Sequence, residues 1–347
     1  MDHVKVLKRA WEIIWRYRAL WVFGIILALT TAGGGRGPQY SFNEEDFAPG
    51  GEFLPPAIPP EVSSALVAIG IGLACVIVIL IIASVVARYV AETSLIRMVD
   101  DHEETGEKRS VRQGFRLGWS RTAWRLFLIN LLIGLPTALA FILLFLLALA
   151  PLLLWATKSK AAGVVGTVAT IGLAFLVILL AIVVGVVLSL LMHFFRRACA
   201  LEELGVIESI RQGYTVVRQH LKDVAIMWLI MFGLGIGWMI VMIPVMILLV
   251  VVGAMVGGFP ALLVGGLASL AFKGAVPWIL AAAVGLPIFI LVVAVPVLFL
   301  GGLAEVFKSS VWTLTYRELR ALEGLETEPE QLPELDAPGL DPLPDSS

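Results

Sequence analysis

The fold class this sequence predicts is all-α, a polytopic membrane bundle. It comprises six transmembrane helices in three repeats, each an interfacial amphipathic helix followed by a helix pair. Three observations predict it: long charge-free apolar runs, basic residues sorted to alternate connections, and a short motif that recurs ahead of the runs. Hydrophobic residues make up 59% of the chain and charged residues 15%, against about 25% charged in a soluble domain. A mean hydropathy of +0.94 is more apolar surface than 347 residues could hide from water.

The apolar runs are Ala19–Gly35, Ser63–Ala87, Leu126–Thr157, Ala161–Phe195, Val224–Phe272 and Gly274–Ala304. About 20 residues cross a hydrocarbon core of about 30 Å. The first run is short, but Arg16 and Arg18 can snorkel to the interface. The fifth would be roughly 74 Å long as one helix and is expected to hold more than one element. Val224–Val252 reads as a span. Gly253–Phe272 is interrupted by five glycines and Pro260 and reads as a hairpin or re-entrant piece. The rival reading is a seventh span. Lys and Arg collect in cytoplasmic loops, and with six spans and both ends inside, the cytoplasmic side holds 21 of the 25. A seventh span would put Lys308, Arg317 and Arg320 outside, so six is the better account. The basic start and Thr30-Thr31-Ala32 have a signal-peptide flavour, but the leading region is too long and too rich in Trp.

Residues 110–115 read Ser-Val-Arg-Gln-Gly-Phe and residues 209–214 read Ser-Ile-Arg-Gln-Gly-Tyr. Lys8-Arg9-Ala10-Trp11 is a weaker third copy, with Trp15 opposite Trp119. The membrane domain, residues 1–321, thus divides into repeats 4–100, 108–200 and 205–321. Val4, Leu7, Trp11 and Ile14 fall on one helical face, as do Val111, Phe115 and Trp119, and Ile207, Ile210, Tyr214 and Val217. Such stripes beside basic faces describe helices lying in the cytoplasmic interface. Lys5, Lys8, Arg9, Trp11, Arg109, Arg112, Phe115, Arg116, Trp119, Arg211 and Tyr214 are the candidate lipid-interface residues, each cation worth about 1 kcal/mol beside anionic lipid. The small residue shared by the copies (Ala10, Gly114, Gly213) would let each helix approach its own bundle.

The even spans end on Glu92, Glu202 and Glu305. Local pairing with Arg88, Arg197 or Lys308 accounts for a charge at that depth. The sharper reading is a ring of the three lining an inner vestibule. Residues 33–62 form an acidic outer loop rich in Gly and Pro, and 322–347 an acidic tail expected to be disordered in the cytoplasm. Asp100–Glu107 reads as an acidic turn ahead of the second amphipathic helix.

Catalytic signatures are missing from the sequence. His3, His102, His193 and His220 do not pair at metal-ligand spacing, and Cys75 and Cys199 suggest neither a disulfide framework nor a metal site. Phosphate-binding glycine loops, nucleophile elbows and dinucleotide fingerprints do not occur. No metal, cofactor, nucleic acid or enzymatic activity is therefore expected. The partners expected are membrane lipids and an unidentified membrane protein. Among polar span residues, Asn130 reads as helix glue.

The interfacial-helix pattern, the Ser-Val-Arg-Gln-Gly-Phe copies and the closing Phe307-Lys-Ser-Ser-Val-Trp-Thr-Leu-Thr-Tyr-Arg-Glu-Leu319 resemble a group of uncharacterised bacterial membrane proteins. Those are similar to the membrane domain fused to some glycerophosphoryl diester phosphodiesterases. The resemblance covers residues 4 to 321 and implies a bacterial cytoplasmic membrane. It carries over no active site, because the phosphodiesterase barrel needs a separate soluble domain that no stretch here is long enough to hold. The leading expectation is a non-enzymatic membrane scaffold or accessory protein that engages lipids. The alternative is a transporter or channel for a small or lipid-like solute, for which the repeats, the broken fifth run and the Glu ring would serve.

Overall fold

The computed structural model describes residues 1–32, 60–157 and 159–327, and all regular structure among them is helical. The outer loop assigned to 33–62 lies almost wholly outside the described residues, and so does the tail beyond 327. The helices are α1 (His3–Arg16), α2 (Ala19–Ala32), α3 (Pro60–Thr105), α4 (Val111–Gly118), α5 (Arg121–Leu149), α6 (Lys160–Leu201), α7 (Val206–Gln219), α8 (Leu221–Ala271) and α9 (Val276–Thr327). A 3-10 stretch, Ala150–Thr157, follows α5. Five helices are long and apolar enough to cross a membrane, and a sixth candidate arises if the α1–α2 pair, bent by 101°, counts as one span.

Local chemistry sets the helix starts. Asp2 caps α1, its carboxylate accepting from Val4 N at 3.1 Å and Lys5 N at 3.0 Å. The recurring motif begins α4 as a capping box: Ser110 Oγ accepts from Gln113 N at 3.4 Å and Gln113 Oε1 accepts from Ser110 N at 2.8 Å. Two orphan donors are satisfied reciprocally. In the second copy Ser209 lies inside α7, buried, and donates to Gly205 O at 2.7 Å. Gly205 is the residue that precedes the helix, and Glu208 Oε2 accepts from its N–H at 3.3 Å. The same six-residue motif therefore occupies different helical registers in its two copies.

The hairpin expected over Gly253–Phe272 does not form; those residues through Ala271 continue α8, which runs unbroken for 51 residues. Glycine costs a helix about 1 kcal/mol in water, but in apolar surroundings nothing competes for the backbone hydrogen bonds and the helix persists. The glycines serve packing instead. A Cβ at Gly253 would meet Phe289 Cδ2 at 3.0 Å, and one at Gly257 the Gly285 carbonyl oxygen at 2.7 Å, both on α9. The chain reverses at Gly274, whose φ of +79° favours glycine. Helix α9 also runs past residue 321, where the acidic tail was expected to begin, as far as Thr327.

The packed core is gathered at one end of the bundle, here called the base. It joins Ala10, Ile13 and Tyr17 of the α1 region and Leu20 and Phe23 of α2 to Leu95 and Met98 of α3. Phe194 of α6, Val216 and Val217 of α7, Val224 of α8, and Trp312 and Tyr316 of α9 also belong to it. Away from the base the helices run as pairs, α5 with α6 and α8 with α9. Their most apolar stretches are almost unburied by protein, 0% in α3 and 6% in α5, α6, α8 and α9. That is the surface a hydrocarbon solvent would cover.

The short helices share one packing habit. Helix α4 lies on the end of α3, α7 on the end of α6, and α1 on the end of α9. Ala10, Gly114 and Gly213 are all buried. A Cβ at Gly213 would meet Phe195 Cδ1 at 2.6 Å, and one at Gly114 would meet Phe23 Cε2 at 2.8 Å and Met98 Sδ closer still. Ser94 Oγ of α3 donates to Gly114 O at 2.9 Å across that contact.

Candidate functional site

Charged and polar groups of the base come from the ends of α3, α6 and α9. The stretch Asp100–Glu107 is not a turn, because α3 continues through Thr105. Its last helical residues act as a clamp. Asp100 pairs with Arg317 of α9, Asp101 with Arg109 ahead of α4 at 2.9 Å, and Glu103 with Arg9 of α1 at 2.8 Å. Each pair is partly exposed and contributes up to about 1 kcal/mol, so their joint effect is to orient three elements on one helix end.

A deeper network lies one level further in. Arg196 Nη1 meets Glu92 Oε1 at 2.7 Å, and its Nη2 donates to Asn130 Oδ1 at 3.2 Å. Arg197, 3% exposed, makes no salt bridge of its own among the described residues. Its guanidinium donates to the carbonyls of His193 at 2.8 Å and Ser309 at 3.2 Å. Arg97 donates to Ala200 O at 3.2 Å, Thr122 Oγ1 at 3.0 Å and Glu203 Oε1 at 2.6 Å. Arg125 holds the Glu203 carbonyl at 2.7 Å. These arginines tie α3, α5, α6 and α9 together through planar, multiply donating groups that lysine could not replace. Sequence reading missed Arg97, Arg125 and Arg196 because they look like loop-side charges when only the positive-inside count is made, and it expected Arg197 to pair with a carboxylate. The signal was the polar run Ser309–Thr315, whose Ser309, Ser310, Thr313 and Thr315 are all buried.

The three glutamates have separate partners. Glu92 takes Arg196, Glu202 takes Arg320 at 2.8 Å and the Tyr316 hydroxyl, and Glu305 takes Lys308 at 3.2 Å. The cationic partners expected from sequence were Arg88, Arg197 and Lys308, and only Lys308 is among those found. Neither the cavity beside Trp119 and Trp124 nor the one beside Gly257 and Trp278 is lined by any of the three.

The candidate lipid-interface residues fall outside the buried faces, which differ from the expected stripes. In α1 the buried face is Val6, Ala10, Ile13 and Ile14, whereas Val4 and Trp11 are exposed. In α7 it is Ser209, Gly213, Val216 and Val217, whereas Ile207 and Tyr214 are exposed. In α4 the glycines are buried while Trp119 is 68% exposed and Phe115 half-exposed. The apolar positions span two neighbouring faces, and protein covers only the one with small residues. Trp11 also stacks edge-on against Trp15, centroids 5.8 Å apart, and against Phe307 of α9 at 6.3 Å. Of the cations, Arg9 and Arg109 are held by α3. Lys5, Lys8, Arg112, Arg116 and Arg211 have no ion pair among the described residues.

Tyr17 fastens the α1–α2 bend. It is buried, its hydroxyl donates to Arg109 O at 2.9 Å, and its ring lies 5.4 Å from that of His102. Burial pushes the phenol from 10 up to about 12. A raised acid pKa means the stability it confers is complete below about pH 10 and is lost as pH rises through about 12. Tyr17→Phe is expected to cost about 1 kcal/mol and to lessen the alkaline loss of stability in that window, as followed by thermal unfolding in detergent across pH.

Among the described residues, cavities open between neighbouring helices. One, of about 630 Å³, lies between α3 and the elbow joining α4 to α5. Another, of about 920 Å³, lies between the far ends of α8 and α9 near Gly257, Gly285 and Trp278. Among the described residues no group of three His, Cys, Asp or Glu side chains is placed to hold a metal ion. Cys75 is exposed on α3 and Cys199 is buried on α6.

Residues 13–315 match the model of a family of unknown function, DUF7544. The chain belongs to this family. The matched stretch begins inside α1 and ends within the buried segment of α9, so it takes in α2 to α8 whole and most of the base. No curated protein matches the chain, and no solved structure does.

Proposed function

We propose that this chain is a non-enzymatic membrane scaffold or accessory protein that grips lipid through α1, α4 and α7. In this reading it has six spans, with α2 the first, built as three repeats around the base. Packing supports the repeats: each short helix lies on the end of a long one, and α1 closes the cycle on α9. The sorting of basic residues supports a cytoplasmic base with both termini inside, and the resemblance to uncharacterised bacterial membrane proteins supports a bacterial inner membrane.

The observation that carries the reading is the double face of the short helices. One strip is buried against the base, and beside it lies an exposed strip of Trp11, Phe115, Trp119, Ile207 and Tyr214. Aromatic side chains are favoured at membrane interfaces because an apolar ring and a polar edge are both accommodated there. Unpaired cations on the same helices complete an anionic-lipid surface. Changing Arg109, Arg112 and Arg116 to Gln should weaken the enrichment of anionic lipid around the reconstituted protein by roughly 30-fold, from about 1 kcal/mol for each of the two unpaired cations, Arg112 and Arg116, because Arg109 is already held by Asp101. The measurement is binding of fluorescent polyvalent cations and anionic-lipid enrichment around the protein; unchanged enrichment would end the lipid reading.

A further inference from the structure

The cavity beside the α4–α5 elbow has a composition that names its occupant. Its wall along α3 is apolar, with Ile82, Val85 and Val86, and Phe127 of α5 faces them. Trp119 and Trp124 line it too, 68% and 62% exposed. At one end lie Ser120 and Arg121. Arg121 has no anion among the described residues, and Ser120 Oγ is buried with no hydrogen-bond partner. Ser120 stands at the N-cap of α5 without making the cap bond, so the free N–H groups and positive dipole end of a 29-residue helix reinforce the charge there.

The α1–α2 elbow is closed by contrast. Trp21 packs edge-on against Phe299 of α9 at 5.4 Å, and its indole N–H donates to Ile14 O at 2.8 Å. The α4–α5 elbow leaves open the space that aromatic side chains take up there.

We propose that this groove is a discrete site for one bilayer phospholipid with an anionic headgroup. An acyl chain lies along Ile82 and Val86, and the phosphate is met by Arg121 at the start of α5. The volume is within the roughly 300–1,000 Å³ of sites that enclose small molecules. A transmembrane helix of another protein would cover the apolar wall but would leave the Arg121 charge unmatched, and charge complementarity therefore favours the lipid. The site rests on the membrane reading given above, but not on the lipid contacts of α1, α4 and α7.

The test uses the full chain in mixed micelles with equal phosphatidylglycerol and phosphatidylcholine, followed by native mass spectrometry. The wild type is expected to retain one phospholipid, phosphatidylglycerol over phosphatidylcholine by about fivefold. Val86→Trp fills the groove and should abolish retention. Val86 is 41% exposed, so the indole meets no packed core and unfolding should be unchanged. Ile79→Trp, on α3 outside the lining, should retain the lipid. Arg121→Gln should keep a lipid but lose the headgroup preference. The triple Gln variant at 109, 112 and 116 should retain the single lipid even where it loses bulk enrichment. Equal retention by Val86→Trp and wild type would overturn the site, as would equal retention of the two lipids by wild type. A single lipid lost from the triple variant and kept by Val86→Trp would overturn it as well, by placing that lipid on α4.

Discussion

Glu92→Ala is expected to destabilise the fold by about 3–5 kcal/mol, the largest effect of any single charge removal in the molecule. Glu92 and Arg196 meet at 2.7 Å with side chains only 12% and 18% exposed. Arg197 is next in sequence, 3% exposed and without a salt bridge of its own among the described residues. Removing Glu92 would leave two adjacent cations in the base with carbonyl and amide dipoles alone to offset them. Desolvation of an unpaired ion is the dominant cost, which is why breaking such a pair is worse than never having had it. Replacing both partners with apolar residues of similar size, Glu92→Leu with Arg196→Met, should therefore recover most of the loss. The measurement is reversible unfolding in mixed detergent micelles, run as a double-mutant cycle. A fall below about 1 kcal/mol for Glu92→Ala would mean that water reaches the pair, and the base would then be open rather than packed.

Gly24→Leu is the second large effect, expected to separate α2 from α9. The two helices cross at Gly24 and Gly302. A Cβ at Gly24 would meet Val306 Cγ2 at 2.5 Å and the Gly302 carbonyl oxygen closer still. One at Gly302 would meet Ile25 N at 2.8 Å and Ile25 Cα at 3.0 Å. Backbone atoms cannot rotate aside as a side chain can, so the helices must part. Overpacking of a core commonly costs 1–3 kcal/mol, and here about 3 kcal/mol or more is expected because both surfaces are main chain. Small residues allow such close crossings between membrane helices. A cysteine pair placed across the α2–α9 contact should crosslink in the parent protein and fail to crosslink after Gly24→Leu. Undiminished crosslinking would show that the crossing has room to spare. Gly172, with nothing near its Cβ position, is the control, and its substitution by Leu should leave stability within about 0.5 kcal/mol.

The long helices were legible because their apolar runs exceed what any soluble core could bury, and a run without charges admits few structures in hydrocarbon. The short helices were legible from their basic and aromatic periodicity. Their burial was not. Val4, Trp11 and Ile14 read from sequence as one interfacial stripe, yet Ile14 is buried while Val4 and Trp11 are exposed, and Ala10 and Gly114 show that the covered face includes the smallest side chains. Gly253 and Gly257 illustrate the same limit. Glycine reads as a break when only propensity is weighed, whereas a partner helix turns its missing side chain into a contact with Phe289 and Gly285.

The acidic cluster Asp100–Glu103 shows why pairing was harder still. Its partners, Arg317, Arg109 and Arg9, lie on three different elements, and charge order along the chain does not specify which cation meets which carboxylate. The sequence by itself determined a helical, apolar bundle with its basic residues gathered toward one end, because solvent transfer acts on each residue type wherever it stands. Only the tertiary structure decided which face of each short helix is covered, which arginine holds Glu92, and that one elbow stays open beside α3. Those outcomes depend on distances of a few ångströms between elements remote in the chain, set by packing that no local pattern encodes.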